Sequence, residues 1–416
     1  MSRRAWRLRL PACALVAFIA LCVLAACSAG PLRATPSIAN HPPDAAGLLD
    51  FDASERAAIA RHGPWPPPPV QDAGNALSGR PEAIVLGQLL FFDPRLSPSG
   101  RISCASCHVP ALAFADGRAR SVGLQAVERN APSLWNAVHE RWQGWDGAAD
   151  SLWSQSIRAL LDPREMASGA GHLRDLVAAD RELACRLRRT SGREPAQDDA
   201  DTLMVNLAKA LGAFVATLVS PRTPFDEFRD ALLQGDSAAA ARYPLDAQRG
   251  LRLFIGRGQC VLCHGGPRWS NGEFADTGLP FFSRPGVVDP GRYGGIEQLK
   301  ASPYNRLSRW ADAADATATR HVSLQPRNFG EFKVPSLRHV ALTAPYMHDG
   351  HKATLTEVLR HYSELDEERL HADGEQILRP LKLSDSELSD LRAFLRSLTP
   401  VGGLPWRAQV PAHCPS

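Results

Sequence analysis

The stretches CASCH, residues 104–108, and CVLCH, residues 260–264, repeat one pattern: two cysteines three positions apart, followed directly by a histidine. This pattern is typical of covalent c-type haem attachment. Two thiols at this spacing reach both vinyl groups of one porphyrin edge, and the adjacent histidine then lies under the iron. The predicted thioether cysteines and iron-binding histidines are Cys104, Cys107 and His108 for one haem, and Cys260, Cys263 and His264 for a second.

Chance does not explain two copies of this pattern, because the 416 residues contain only nine cysteines. Zinc is the structural alternative, since two C-x-x-C pairs can supply four thiolates. The histidine after each pair and an export signal at the N-terminus favour haem. The predicted cofactors are therefore two c-type haems.

The N-terminus predicts export and a lipid anchor. Four arginines precede Ala12–Ala26, an apolar segment that is too short and too alanine-rich for a good membrane span, so residues 1–26 are predicted to be a signal peptide. The signal ends in Leu-Ala-Ala-Cys27, which resembles a bacterial lipobox; a plain signal with a chance cysteine is the alternative. Ser28 resembles the pattern for outer-membrane sorting. We therefore predict a periplasmic protein, lipid-anchored at Cys27 and held at the outer membrane.

The net charge bears on the class of partner, and the remaining cysteines bear on a possible disulfide. The signal removes four arginines and no acid, which takes the formal net charge from +3 to −1, so nothing suggests a nucleic-acid partner. Cys185 and Cys414 are left over, and in an oxidising compartment they could pair.

The rest of the chain predicts a mostly α fold. Apolar residues recur at helical spacing from Leu203 to Leu218 after the predicted cap Thr202, and Ser384 with Glu387 forms a capping box before a further helix. We predict two cytochrome c-like domains, each binding one covalent c-type haem. The predicted segments are a Pro-rich tether at 27–75 with little structure of its own, the first haem domain at 76–235, the second at 236–400 and a tail at 401–416.

Longer stretches resemble the bacterial di-haem cytochrome c peroxidase and MauG family. They are LFFDPRLSPSGRISCASCH, RNAPSLWNA, WDGAADSLWSQ, DPREM, FKVPSL and LTAPYMHDG, and the resemblance runs from about Pro81 to Pro400. It implies that the first haem reacts with hydrogen peroxide and that the second handles electrons. It also implies a tryptophan between the haems and a calcium ion near the domain junction.

The resemblance makes Trp145 the inter-haem tryptophan, and Gln155 and Glu165 catalytic residues near the first haem. Chemistry supports the last two independently. Cleavage of the O–O bond needs a proton moved from one peroxide oxygen to the leaving one, which a carboxylate in a dry pocket can do, while an amide orients the peroxide. A helix over 151–161, broken by Pro163, lets Glu165 turn back. The alternatives are a core indole, an exposed helix glutamine and a first-turn carboxylate.

Two further features follow from the resemblance. Asn130, Thr343 and Pro345 match the family's calcium positions, where amide and carbonyl oxygens suit a hard cation; ordinary turn and loop roles are the alternative. Related peroxidases that need activation carry a distal histidine in a sequence like SVGH, and this chain has Leu124 there. Leucine cannot ligate iron, so we predict a first haem that is open to peroxide without prior reduction.

Tyr362 is predicted to be the other ligand of the second iron. The usual peroxidase has a methionine fourteen residues after the histidine of its HDG motif, and counting from His348 gives Tyr362. A capping box at Thr354 predicts a helix whose apolar face includes this tyrosine. The alternatives are a core tyrosine, His361 as ligand, or Met347.

A tyrosine ligand favours oxidised iron, whereas methionine raises the haem potential. The chain therefore resembles the MauG-like branch, which uses peroxide to form a high-valent di-haem state and oxidises residues of a partner protein. MbnH-like members oxidise a tryptophan of a copper-binding partner. Lys333 is a predicted supporting residue near Trp145 or Tyr362. The alternatives are a conventional peroxidase with a small cytochrome c or cupredoxin as donor, and a non-enzymatic electron-transfer cytochrome.

Overall fold

The computed structural model describes residues 47–279, 282–284, 286–313, 317–366, 377–409 and 411–414. The predicted signal peptide and Cys27 lie outside these ranges. Helices dominate, as predicted; α1 to α13 in chain order are Ala53–Ala60, Pro81–Phe92, Leu152–Leu161, Ala170–Ala179, Arg181–Ser191, Ala200–Val215, Pro224–Gln234, Ser237–Ala240, Leu245–Ile255, Arg292–Ala301, Thr317–Arg320, Leu355–Ser363 and Asp385–Ser397. No helix in the described ranges is long and apolar enough to cross a membrane.

The described strands are few and short. Strand β1 (Phe274–Ala275) pairs antiparallel with β4 (Phe332–Lys333), with Phe274 opposite Lys333. Strand β2 (Phe282–Arg284) pairs antiparallel with β3 (Val287–Val288). The first pair matters for function because it brings Lys333 to the cavity described below.

Local sequence explains where the helices begin and end. Helix α13 begins with the predicted capping box at Ser384 and Glu387, and α3 ends at Leu161, just before Pro163. The cap of α6 differs from the prediction: Asp199, not Thr202, is the N-cap, and its carboxylate accepts the Thr202 backbone N–H at 2.7 Å. A carboxylate there also complements the helix dipole, which a threonine hydroxyl does not.

Two apolar cores organise the described residues, and each contains a close crossing of two helices. Helices α2 and α6 cross in the first core, and α9 and α13 cross in the second. Both crossings need a glycine, because a Cβ on Gly87 would lie 2.0 Å from the Ala210 carbonyl oxygen and one on Gly250 would lie 2.0 Å from that of Asp390. This repetition agrees with two similar domains, whose boundaries stay a prediction.

Much of the predicted tether is packed structure instead. Helix α1 begins with a capping box at Asp52, and Phe51 and Ile59 are buried in the second core. Trp65 is also buried and donates its Nε1–H to the Ser220 carbonyl at 2.9 Å. The prediction was wrong here because the prolines at 64 and 66–69 dominate the composition of the segment and hide a short capped helix before them.

The C-terminal tail packs on the first core, whereas the N-terminal segment packs on the second. Trp406 stacks on Phe92 with ring centroids 5.4 Å apart. Cys185 on α5 and Cys414 in the tail form a disulfide, which the sequence left open. The N-terminal segment, residues 48–65, therefore contacts the second core, which is the more distant one in sequence. The C-terminal tail likewise contacts the first core.

Arg338 and Asp226, on α7, form a buried ion pair. Both nitrogens at the fork of Arg338 donate to the Asp226 carboxylate at 2.9 Å, and neither side chain is exposed. The guanidinium also lies 3.6 Å from the centre of the Trp65 ring. Burial alone would raise the pKa of Asp226, but hydrogen bonds from Arg338 and Thr223 outweigh burial and lower it.

Replacing Arg338 by methionine should lower the free energy of unfolding by about 3–5 kcal/mol, because Asp226 stays buried without its main partner. The Asp226 contribution is present at neutral pH and is lost as the pH falls through its lowered folded-state pKa, so the difference from wild type should shrink in acid. Arg188→Met is the control; it removes an exposed pair with Glu194 and should cost less than about 1 kcal/mol. Urea unfolding at several pH values measures both, and equal losses at neutral pH would contradict the prediction.

Candidate active site

A cavity of ≈ 650 Å³ is lined by both cysteine–histidine motifs. Of the predicted site residues within the described ranges, all but Cys104 line it, and Cys104 packs against the first core. The predicted residues on its wall are Cys107, His108, Asn130, Trp145, Gln155, Glu165, Cys260, Cys263, His264, Lys333, Thr343, Pro345 and Tyr362.

The two motif histidines are held in matching turns. Each follows one turn of 3₁₀-helix, Cys104–Ser106 or Cys260–Leu262. The Nδ1–H of His108 donates to the Phe114 carbonyl at 2.9 Å, and that of His264 donates to the Trp269 carbonyl at 3.0 Å. Such a bond fixes the tautomer and the plane of the ring, so Nε2 is the nitrogen available to a metal.

Burial lowers the pKa of both His108 and His264, although the backbone carbonyls that face each ring act in the opposite direction. These carbonyls include those of Pro132 and Pro335, which occupy matching places in the two halves. Both imidazoles are therefore neutral at neutral pH, which is the form that binds a metal ion.

The four motif cysteines form no disulfide. Burial raises the pKa of Cys104 and of Cys260 to about 12, so they are neutral thiols. No group of three or more His, Cys, Asp or Glu side chains in the described ranges is placed to hold a metal ion, so the two pairs do not form a four-thiolate zinc site. A neutral histidine and two free thiols in each motif fit two covalently attached haems.

Gln155 and Glu165 both line this cavity. Gln155 is on α3, and its side-chain oxygen is buried without a hydrogen-bond partner in the described chain. Burial raises the pKa of Glu165, with the charge of Arg158 acting the other way. The wall therefore offers an unsatisfied acceptor, which a bound group can use, and a carboxyl group that stays protonated to a higher pH than usual.

The loop containing Leu124 is fixed beside Glu165. The Leu124 backbone N–H donates to the Glu165 carbonyl at 3.0 Å, and that of Gln125 donates to Arg164 at 2.8 Å. Gly123 permits this approach, because a Cβ there would lie 2.6 Å from the Glu165 Cα. Residues 109–138 contain no histidine, so this loop brings no imidazole to the wall.

Trp145 is fixed at both its side chain and its backbone. Its indole N–H donates to the Asn130 carbonyl at 2.9 Å, and its own carbonyl accepts the Lys333 backbone N–H at 2.8 Å. The Lys333 ammonium instead contacts the Trp142 carbonyl at 3.1 Å and Glu140 at 3.2 Å. Lys333 therefore lies beside Trp145 through its main chain, while its ammonium shares the Glu140 carboxylate with Arg268, which contacts it at 2.7 Å.

Tyr362 lies on α12, which begins after Thr354 as predicted. Burial raises the pKa of Tyr362, and Cys263 and Cys260 act in the same direction, which places the phenol near the second motif. The alternative ligand His361 has its Nε2 2.7 Å from the Thr277 carbonyl oxygen.

Met347, the remaining alternative, lies on the cavity wall but in the turn before His348 rather than on α12. The other methionines of the described chain, Met166 and Met204, are buried in the first core. Tyr362 is thus the α12 residue that combines a ligating atom with a place on the cavity wall beside the second motif.

The predicted calcium residues are partly brought together. The Asn130 side-chain amide donates to the Pro345 carbonyl at 3.1 Å. The Thr343 hydroxyl donates to the Val340 carbonyl at 3.3 Å and bonds neither of the other two. A calcium ion at these residues stays a prediction.

Sequence reasoning missed a buried charge cluster next to Trp145. Asp146 is almost fully buried; Arg129 contacts it at 2.6 Å and also contacts Asp289 at 2.7 Å. Burial would raise the pKa of Asp146, but Arg129 and Arg158 outweigh burial and lower it. The available signal was the W-D-G motif, in which the acid directly follows the predicted tryptophan.

Comparison with known proteins agrees with this geometry. The family model "Di-haem cytochrome c peroxidase" matches residues 81–236. The methylamine utilization protein MauG of Methylorubrum extorquens is 35% identical over 321 residues, which cover 76% of this chain and 78% of the relative. Cytochrome-c peroxidase IdrP2 of a Pseudomonas species is 34% identical over 330 residues, with 78% and 83% covered.

Solved structures agree as well. A MauG-like protein associated with microbial copper homeostasis has a TM-score of 0.62 at 29% identity, with 81% of this chain and 96% of that chain covered. The diheme peroxidase BthA of Burkholderia thailandensis shares the fold with a TM-score of 0.62 at 23% identity, with 81% and 91% covered. The chain belongs to the di-haem cytochrome c peroxidase and MauG family, and it is a peroxidase-type oxidoreductase for which the family implies two c-type haems.

Tyr362→Phe should change the optical and EPR spectra of the ferric second haem, because it deletes the phenol oxygen and keeps the ring on α12. Tyr346→Phe, which changes another tyrosine of the cavity wall, is the control and should leave both spectra unchanged. A wild-type spectrum in the Tyr362 variant would refute tyrosine ligation.

Proposed function

We propose that this protein is a MauG-like enzyme that uses hydrogen peroxide to oxidise residues of a partner protein, with tryptophan as the first residue type to test. The observation that carries the proposal is the position of Tyr362, whose phenol lies beside the second motif where electron-accepting peroxidases place a methionine. A tyrosine ligand makes an iron hard to reduce and a poor acceptor of electrons from a small cytochrome.

The residues near the first motif support a reaction with peroxide. The two haems would supply the redox chemistry, namely reduction of peroxide and storage of the oxidising equivalents. Glu165 would accept a proton from one oxygen of hydrogen peroxide and return it to the other, which leaves as water. Gln155, whose amide is unsatisfied on the same wall, would orient the peroxide.

Trp145 is proposed to couple the two halves. It lies on the cavity wall with residues of both motifs, and two hydrogen bonds fix its ring and its backbone. Lys333 supports it by supplying one of those bonds. Oxidising equivalents would then leave through the protein surface towards a bound partner rather than being quenched by a small donor.

A conventional cytochrome c peroxidase is the second candidate, because relatives with that name match this chain about as well as MauG does. Peroxide-dependent steady-state turnover separates the two. Rapid oxidation of a reduced small cytochrome c or cupredoxin would favour the second candidate. Slow turnover with such donors, together with a mass increase in a partner protein, would favour the first.

We also propose a periplasmic location with a lipid on Cys27, on the grounds of the N-terminal sequence. The structural likeness to a protein associated with copper homeostasis suggests a copper-binding protein as the first partner to test. Incubation of the holoenzyme and peroxide with such a protein, followed by peptide mass spectrometry, tests this choice directly.

Glu165→Gln should slow the reaction with peroxide by about 10²–10⁴-fold, because the amide cannot accept the proton. The wild-type rate should rise with pH through the pKa of Glu165, and because burial raises this pKa, the rise should occur at a higher pH than for an ordinary glutamate. The rate of the variant should not show this rise. Glu128→Gln, which changes another carboxylate of the wall, is the control. Stopped-flow mixing with peroxide measures both rates, and a wild-type pH profile in Glu165→Gln would remove this residue from the mechanism.

A further inference from the structure

The carbonyls that hold the two iron-binding histidines belong to residues in the same unusual conformation. Phe114 has φ 57° and Trp269 has φ 56°. Left-handed backbone is rare for bulky side chains and persists only where the surrounding packing fixes it. Both side chains are fully buried, so the source of that packing can be identified.

Trp269 is contacted by His62, from the N-terminal segment, in addition to the rings of Phe225, Phe254 and Phe394 in the second core. The two rings stack with centroids 3.7 Å apart and 9° between their planes. His62 Nδ1 also lies 3.1 Å from the Gly266 carbonyl oxygen, which accepts the Trp269 backbone N–H at 3.0 Å. His62 therefore contacts both the side chain of Trp269 and the start of the turn that ends in it. Burial lowers the pKa of His62 to about 4, so its ring is neutral.

Phe114 is contacted by Trp406, from the C-terminal tail, in addition to Phe91 and Trp135 of the first core. The rings meet edge to face, with centroids 5.4 Å apart and 84° between planes. The tail is fixed because the Gln409 backbone exchanges two hydrogen bonds with the Gln88 side chain, at 2.6 and 3.0 Å. The Cys414 disulfide secures it five residues further on.

We propose that His62 and Trp406 are positioning residues for the iron-binding histidines and that they act crosswise: the N-terminal segment orients His264 and the C-terminal tail orients His108. Each acts through the carbonyl of the aromatic residue it contacts. Neither lines the cavity. The inference rests on the proposed roles of His108 and His264 and not on what the enzyme oxidises.

The physical effect is on the imidazole. The Nδ1 hydrogen bond sets the plane of the ring and the basicity of Nε2, and the reduction potential of a haem iron depends on both. Relaxation of Phe114 or Trp269 towards ordinary backbone geometry would move its carbonyl and weaken that bond. The consequence is a change at one haem and not at the other.

The test is spectroscopic titration of the ferric holoprotein. His62→Phe keeps an aromatic ring over Trp269 and removes the contact with Gly266. It should shift the EPR signal and midpoint potential of the second haem and leave the first haem at wild-type values. Trp406→Leu should shift the signal and potential of the first haem and leave the second unchanged.

Matched controls separate positioning from loss of stability. Phe51→Leu changes a buried residue of the same N-terminal segment that does not stack on Trp269, and Trp310→Leu changes a tryptophan on the first core that does not stack on Phe114. Both should lower the melting temperature and leave both haem signals unchanged. Equal shifts at both haems in every variant would overturn the proposal in favour of general loosening.

Two milder variants cover the case in which a first variant does not accumulate. His62→Gln removes the stack and retains an amide near Gly266, and Cys414→Ser frees the end of the tail; each should shift the same haem as the first variant of its segment. Wild-type values for both haems in all folded variants would overturn the proposal. The measurements need neither peroxide nor a partner, so failure of the proposed function leaves them intact. A protein that binds no haem would overturn the ligand assignment.

Discussion

A hydrogen bond from a buried imidazole to a main-chain carbonyl is the constraint on which both halves of this molecule depend. A histidine that binds iron must be neutral, have one fixed tautomer and hold one orientation. Burial makes His108 and His264 neutral, and the Phe114 and Trp269 carbonyls fix their rings. The glycine-dependent helix crossings provide the rigid cores against which these turns are packed.

The two halves hold their motif histidines by the same kind of hydrogen bond, and they differ in the other residues that line the cavity. The first motif shares the wall with an unsatisfied amide and a carboxyl group of raised pKa, which suits a small polar substrate. The second motif has a buried phenol nearby, which suits a closed iron site. The proposed division of labour therefore rests on residues outside the two C-x-x-C-H motifs, namely Gln155 and Glu165 in one half and Tyr362 in the other.

Sequence reasoning succeeded where the determinants are local. The motif spacing located the two cysteine–histidine motifs that line the cavity, a capping box located the start of α13, and helical periodicity placed Tyr362 on the cavity side of α12. It failed where the partner is distant: the disulfide joins residues 229 apart, and the packing of Phe51 or Trp65 depends on helices far along the chain. The roles of Phe114 and Trp269 depend on backbone conformation, which neither composition nor periodicity reports.

The packing of each terminal segment on the more distant core has a consequence for folding during synthesis. During synthesis the residues around the first motif emerge long before Trp406 and Cys414, so the first core cannot reach its final packing until the last residues of the chain are made. The N-terminal segment, in contrast, must wait for its binding surface on the second core to appear. A boundary drawn between the two halves would separate the second core from the N-terminal segment that packs on it, and the first core from the C-terminal tail.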